Sequence, residues 1–285
     1  MTWEPSPLAV ERAAYRARRR RRSFLLALGS TLVLVAAAVL VVVTSPGWER
    51  TRDSFFDLDV AAEVLPGLVQ GLWLNIRVWV LAVVISLLLG LLLAIVRTTA
   101  SPVLFPLRAL VAAYVDIFRG LPLLLVLLLV GFGLPSLRLP WLPIDAVYLG
   151  TGAIILTYTA YTAEIFRAGI GAVHPAQVTA ARALGLTRGQ TTRTVVVPQA
   201  VRNTTPALLN TVVSLQKDSG LISILGAVDA IRAAQIEVTG AYNFTPYVVA
   251  GLLFLLISIP LTRAVDAYSE RRGWGATRPA AGVAR

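Results

Sequence analysis

Hydrophobic residues run along this chain in long blocks, not in the alternation of a half-buried strand or the single stripe of an amphipathic helix. Phe24 to Val43 holds no charge and is long enough, at about 20 residues, to cross the hydrocarbon core of a bilayer. Val78 to Val96 forms a second clean block, whose helix is expected to begin near Gly71 with Asn75 and Arg77 at the membrane interface. A third, Leu110 to Leu134, is interrupted by Asp116, Arg119, Gly120 and Pro122. It predicts a helix kinked or restarted around Pro122, where the ring removes an amide donor and crowds the preceding turn. Three more follow at Val147 to Ile165, Ala207 to Leu225 and Tyr247 to Arg263. The fifth carries Gln216, Lys217, Asp218 and Ser219, so average hydropathy alone would pass over it. Lipid offers no water to open backbone groups, so the spanning elements are helices and the predicted fold is an all-α membrane protein of six spans.

The segment between the fourth and fifth blocks, about 167–203, has its own internal signals. Pro175 suits a first helical position with His174 before it, and Ala176, Ala180 and Ala183 recur at helical spacing. Gly185 stands where a glycine ends a helix. Thr187 and Gln190 have the spacing of a capping box, opening a second short helix expected to finish before Pro198. Small residues on one face let another surface approach the backbone closely; the face could equally pack under the chain's own bundle.

Composition agrees with the bilayer as solvent: 56% of the 285 residues are hydrophobic and only 14% charged, with mean hydropathy +0.74. The net charge of +11 would suggest nucleic acid if it formed one basic stripe. Instead the arginines flank the spans. Nineteen fall on the segments that alternation assigns to one side and four on the other, which places both termini in the cytoplasm. No nucleic-acid partner is expected. There is no cysteine and one histidine, His174, which excludes disulfides, thiolate catalysis and multi-His metal sites. No glycine-rich loop precedes a lysine, so the chain has no cradle for ATP phosphates, and no catalytic constellation is present. Arg21-Arg22-Ser23-Phe24-Leu25 has the form of a twin-arginine export signal, but no small-x-small cleavage site follows Val43 and five further spans follow, so it reads as an uncleaved anchor.

Ionisable residues inside a span cost roughly 2.5–3.5 kcal/mol on insertion scales, so they need a pairing or functional reason. Lys217 and Asp218 point about 100° apart on a helix, so one can face a pathway while the other does not; Ser214 lies one turn before Asp218 on its face. Both could equally lie at interface depth and reach water. Glu164 and Arg167, and Asp116 and Arg119, have spacings that permit ion pairs.

From Pro66 to Arg271 the chain resembles the permease subunits of bacterial ABC importers, in particular the polar amino-acid uptake subfamily. The family's cytoplasmic Glu-Ala-Ala signature is matched by Thr179-Ala180-Ala181, Gly185 and Val195-Val196-Val197-Pro198 at the same spacing. Around it stand Ala163-Glu164-Ile165-Phe166-Arg167, Ala183-Leu184-Gly185-Leu186, Pro198-Gln199-Ala200, Ser214-Leu215-Gln216-Lys217-Asp218-Ser219 and, upstream, Phe118-Arg119-Gly120-Leu121-Pro122-Leu123.

The resemblance implies a type I importer transmembrane domain with a five-helix core, to which the first span adds an extra N-terminal helix. It divides the chain into a basic cytoplasmic segment (1–22), the extra helix (23–45), an extracytoplasmic linker (46–66), the transmembrane domain (67–271) and a cytoplasmic tail (272–285). It implies a multi-pass protein of the bacterial cytoplasmic membrane that binds no cofactor itself, ATP and Mg residing on a separate ATPase. Thr179, Ala180, Ala181, Gly185 and Pro198 would form the ATPase-coupling loop, with threonine where the family has glutamate. Asp116, Arg119, Glu164, Ser214, Lys217 and Asp218 are candidates for the translocation path or bundle interface. Implied partners are two ATP-binding subunits, a second permease subunit, identical or not, an extracytoplasmic solute-binding protein and membrane lipid. The rival readings are a secondary transporter or channel independent of ATP, which matched inverted halves would favour, and a membrane scaffold for a cytosolic partner.

Overall fold

The computed structural model describes residues 6–99 and 101–272, and the predicted tail (272–285) lies outside them except for Arg272. The chain forms two units that divide between Phe56 and Asp57.

The first unit holds α1 (Pro7–Val43) and α2 (Trp48–Phe55). Proline at the first helical position and a run of good helix formers, alanine and arginine, start α1 well before the apolar block. The arginines from Arg12 to Arg22 are therefore part of this helix. From Phe24 on, α1 is apolar on all sides, the pattern of a helix solvated by lipid.

The second unit opens with α3 (Leu58–Thr98), a helix of 41 residues, about 60 Å long and thus about twice the hydrocarbon thickness. It starts at Leu58 rather than near Gly71 because Asp57 caps it, accepting from the amides of Asp59 and Val60. Pro66 is carried inside the helix. After a 3₁₀ turn (Pro102–Leu104) come α4 (Phe105–Gly120), α5 (Leu123–Leu128), a π turn (Leu129–Gly133) and α6 (Leu134–Ser136). The predicted break at Pro122 is a restart rather than a kink, since Pro102–Gly120 and Leu123–Ser136 meet at 109°. The chain continues through α7 (Ala146–Gly171), α8 (Pro175–Ala183), α9 (Arg188–Thr191), a second π turn (Thr192–Val196) and α10 (Val197–Asp218). A 3₁₀ segment (Ser219–Leu225), α11 (Ala230–Ala241) and α12 (Thr245–Arg271) complete it.

Helices thus stand at all six predicted places. Among the described residues three, ending at Val43, Thr98 and Arg271, are long and apolar enough to cross a membrane alone, and the bent pair adds a fourth. α7 and α10 are more polar, and α7 is largely enclosed by protein. In α7, Leu149, Ala153, Ile154, Thr157, Thr162 and Ala163 are all buried, so its environment is set by neighbouring helices rather than by lipid.

α3 and α7 pack along each other with small residues at the seam. A side chain at Gly90 would collide with Thr162, whose hydroxyl donates to the Ser86 carbonyl at 2.7 Å. Val78, Ala82, Leu127, Ala153, Ile154, Leu215 and Ile222 close the central core. Nearer the start of α3, Val64 and Leu68 pack with Ala234 and Ala250 of α11 and α12. The Asp57 amide donates to the Thr245 hydroxyl at 3.1 Å, pinning the starts of α3 and α12 together.

Candidate functional site: coupling loop, cavity and charge cluster

α8 is built as the local signals predict. The His174 side chain accepts from the Ala176 amide, and the helix ends in a Schellman motif: the Leu186 amide donates to Ala181 O at 3.2 Å and the Gly185 amide to Arg182 O at 3.0 Å. That closure requires Gly185 at φ +86°, a conformation costly for any residue with a Cβ. The capping box is formed: the Thr187 amide donates to Gln190 Oε1 at 2.8 Å and the Gln190 amide to Thr187 Oγ1 at 3.3 Å.

Beyond the box the structure departs from expectation. The second helix does not finish before Pro198. It runs through the π turn Thr192–Val196 directly into α10, with Pro198 in the first turn of that helix. A wider turn leaves room where the proline ring would strike the carbonyl of an α-turn and where its missing N–H would break an i−4 bond. Of the five predicted coupling residues, Thr179, Ala180, Gly185 and Pro198 are exposed, whereas Ala181 is buried in the chain's own fold. Leu184 stands 81% exposed at the tip. Thr179 spends its hydroxyl on the Pro175 carbonyl at 3.1 Å, so it supplies neither the charge nor the reach of a glutamate.

The fifth predicted span divides its polar pair between two cavities. Asp218, at the end of α10, joins Ser214, Asn210, Thr157, Tyr158 and Tyr161 in lining a cavity of about 350 Å³. The Tyr158 hydroxyl donates to Asp218 Oδ2 at 2.7 Å. The Thr157 hydroxyl is buried without a hydrogen-bond partner among the described residues. Lys217 faces away, into a groove lined mostly by α12, among them Phe254, Ser258 and Arg263. The 100° step between the two residues is therefore realised as two separate surfaces.

At the coupling-loop ends of α3, α4 and α7, one carboxylate gathers three arginines. Glu164 accepts from Arg97 at 2.9 Å and from Arg167 at 2.6 and 2.9 Å, and Arg119 lies 4.0 Å away. Asp116 and Arg119 do not pair with each other; Asp116 instead stands 3.8 Å from Arg97.

A family model for the binding-protein-dependent transport system inner membrane component matches residues 86–273. The chain belongs to that family. The permease resembles an arginine transport system permease protein of Bacillus subtilis (strain 168), 33% identical over 210 residues that cover 72% of this chain and 93% of that protein. A probable amino-acid ABC transporter permease protein of Vibrio harveyi is 32% identical over 218 residues, covering 76% and 96% respectively. Among solved structures, an amino acid ABC transporter crystallised with histidines aligns at TM-score 0.66 and 33% identity over 74% of this chain and 96% of that one. A methionine ABC transporter aligns at TM-score 0.59 and 19% identity, a likeness of fold. The fold is thus that of a type I importer permease, and the protein is a multi-pass, membrane-embedded transport subunit rather than a catalytic one.

Within the permease, several residues of these clusters were invisible to sequence reasoning. The sequence singled out neither Arg97, Tyr158 nor Thr157. Asn75, expected at the membrane interface, is buried within the protein at 1% exposure. Its side chain donates to Asp229 Oδ2 at 2.9 Å and to Ser219 O at 3.1 Å, and accepts from the Ala230 amide at 3.2 Å. Gly71 makes this latch possible, since a Cβ there would come within 2.5 Å of the Asp229–Ala230 backbone. A polar residue deep in an apolar helix is the one sequence signal that could have flagged the latch.

Proposed function

We propose that the permease carries a polar or charged amino acid into the cytoplasm, energised by ATP that separate subunits bind with Mg and hydrolyse. The observation that carries the substrate reading is the Asp218 cavity. A carboxylate within a spanning segment costs a few kcal/mol to place, and here it lines a cavity beside Ser214 and Asn210, with the Thr157 hydroxyl buried in the wall and without a partner among the described residues. Such a lining complements an ammonium or guanidinium group and hydrogen-bonds the polar remainder of an amino acid. The relatives named for arginine and other amino-acid transport point the same way.

The coupling reading rests on α8 and its Schellman turn, which project Ala180, Leu184 and Gly185 with little side chain between the backbone and an approaching surface. Two ATPase subunits, a second permease copy, identical or not, and an extracytoplasmic binding protein complete the proposed assembly. The test is reconstitution of the permease with its ATPase and binding protein in vesicles, measuring uptake of labelled arginine, histidine and glutamine. Uptake should require internal ATP and the ATPase chains. Uptake that persists without them, or that follows an ion gradient, would mean a secondary transporter.

A further inference from the structure

Taking the Asp218 cavity as the route, we propose that the 3₁₀ segment Ser219–Leu225 is the plug that closes it on the side away from the coupling loop, and that Asn75 is the positioning residue that clamps this plug. The segment follows Asp218 directly. On α7 the cavity is lined by Thr157, Tyr158, Tyr161 and Ile165. Gly150, Ala153 and Ile154 come before them and stand further from the coupling loop, which follows the end of α7. At that level Ile222 is fully buried, packed in one cluster with Leu127, Ala153 and Ile154. A Cβ at Gly150 would collide with Ile222, and one at Gly131 with Leu225, so the segment is wedged between α7 and the first π turn. A solute moving along α7 between the cavity and that side has to pass this apolar layer.

Seven residues are a long run of 3₁₀ helix, whose eclipsed side chains and poorer hydrogen bonds keep most runs to about three or four residues. The shape of the segment is therefore set by what holds it from outside. Asn75 does so at both ends: its side chain donates to the Ser219 carbonyl at 3.1 Å and to Asp229 Oδ2 at 2.9 Å, and accepts from the Ala230 amide at 3.2 Å. One side chain on α3 thus fixes the two ends of the stretch that carries Ile222. Gly226, at φ +91°, turns the chain back between them, a conformation open to glycine. Asp229 is fully buried and takes its hydrogen bonds from uncharged donors, the Asn75 side chain and the Arg232 amide. A buried carboxylate without a cation is only partly compensated, which suits a clamp that opens and closes with each cycle.

The chain has no cysteine, so Ser214→Cys places a single thiol on the cavity wall. The test times its reaction with a small membrane-impermeant thiol reagent in the assembled transporter, in intact cells depleted of ATP. Ser214→Cys alone should react slowly. Adding Asn75→Ala should speed the reaction at least about tenfold, the factor expected when hydrogen bonds to a buried charged group no longer oppose local opening. Adding Ile222→Ala, which shortens the plug and leaves the clamp intact, should speed it as well. Adding Leu208→Ala, which trims the separate cluster with Ala94 and Phe166, should leave the rate as it was. Thermal unfolding checks that each variant is folded, and the Ile222 variant carries the test if loss of Asn75 prevents folding. Fast reaction of Ser214→Cys alone overturns the plug, as does an unchanged rate in the Asn75 and Ile222 variants. Equal acceleration by Leu208→Ala also overturns it, since that would mean general loosening. Labelling reads the plug and arginine uptake by Asp218→Asn reads the route, so the two fail separately.

Discussion

The Asp218 carboxylate accepts the Tyr158 hydroxyl at 2.7 Å and shares its cavity with Ser214 and Thr157. Asp218→Asn keeps the shape and removes the charge, so uptake of a cationic amino acid should fall at least about tenfold, the loss expected for one hydrogen bond to a charged group. Tyr158→Phe should cost less, because the carboxylate survives and loses only one donor. Lys217→Gln should disturb selectivity for cationic substrates less than Asp218→Asn does, since Lys217 faces the α12 groove. Uptake of arginine and glutamine by reconstituted vesicles separates these outcomes. If Asp218→Asn transports arginine at the wild-type rate, the cavity is not the route. The pairing of Ser214 with Asp218 was legible in the sequence because helical period alone puts them one turn apart. Tyr158 was not, since 60 residues separate it from Asp218, nor was the Asn75–Asp229 contact, across 154 residues. Such contacts depend on which helices touch, and apolar blocks of similar composition carry no record of that.

Among the elements, the turn after α8 has the most stringent requirement. Gly185→Ala forces a Cβ into the left-handed region at a cost of about 1–2 kcal/mol and should weaken ATP-coupled uptake without unfolding the bundle. Gly185→Asp adds a charge to a surface that docking would desolvate, and should abolish both uptake and substrate-stimulated ATP hydrolysis by the partner. Measuring both in the assembled transporter checks this; normal stimulation in Gly185→Asp would remove the turn from the coupling contact. The ends of α3, α4 and α7 depend instead on Glu164. Glu164→Gln leaves Arg97, Arg119 and Arg167 facing one another, and the loss should fall between the roughly 0.2–1 kcal/mol of exposed pairs and the roughly 3–5 kcal/mol of buried ones. Thermal unfolding in detergent should show a lowered Tm that partly recovers at high salt, where repulsion is screened. A salt-independent loss would mean packing rather than charge. Helix starts and stops in this region were readable from local chemistry, His174, Gly185 and the Thr187–Gln190 box. The end before Pro198 was misread because a proline was taken as a stop, and the π turn that accommodates it has no comparable sequence signature.

Across the whole molecule, the orientation read from arginine placement meets a geometric constraint. α3 and α12 begin together, tied by the Asp57 amide and Thr245. The end of α3 shares a pocket with α8 and with the residues that lead into α10. Arg97 near the end of α3 meets Glu164 and, through it, Arg167 near the end of α7. The ends of α3 and α7 and the start of α10 therefore lie on one side of the second unit, the side of the coupling loop, and the arginine count assigns that side to the cytoplasm. The chain has no cysteine, so single replacements report sidedness against a blank background. Thr179→Cys, in α8, should resist a membrane-impermeant thiol reagent added to intact cells and react once the membrane is opened. Ser136→Cys, at the end of α6, and Thr51→Cys, in α2, should react from outside. All three positions are exposed, so failure to react in intact cells would reflect the membrane rather than burial. Labelling of Thr179→Cys in intact cells would invert the permease and move the proposed ATPase contact to a side without ATP.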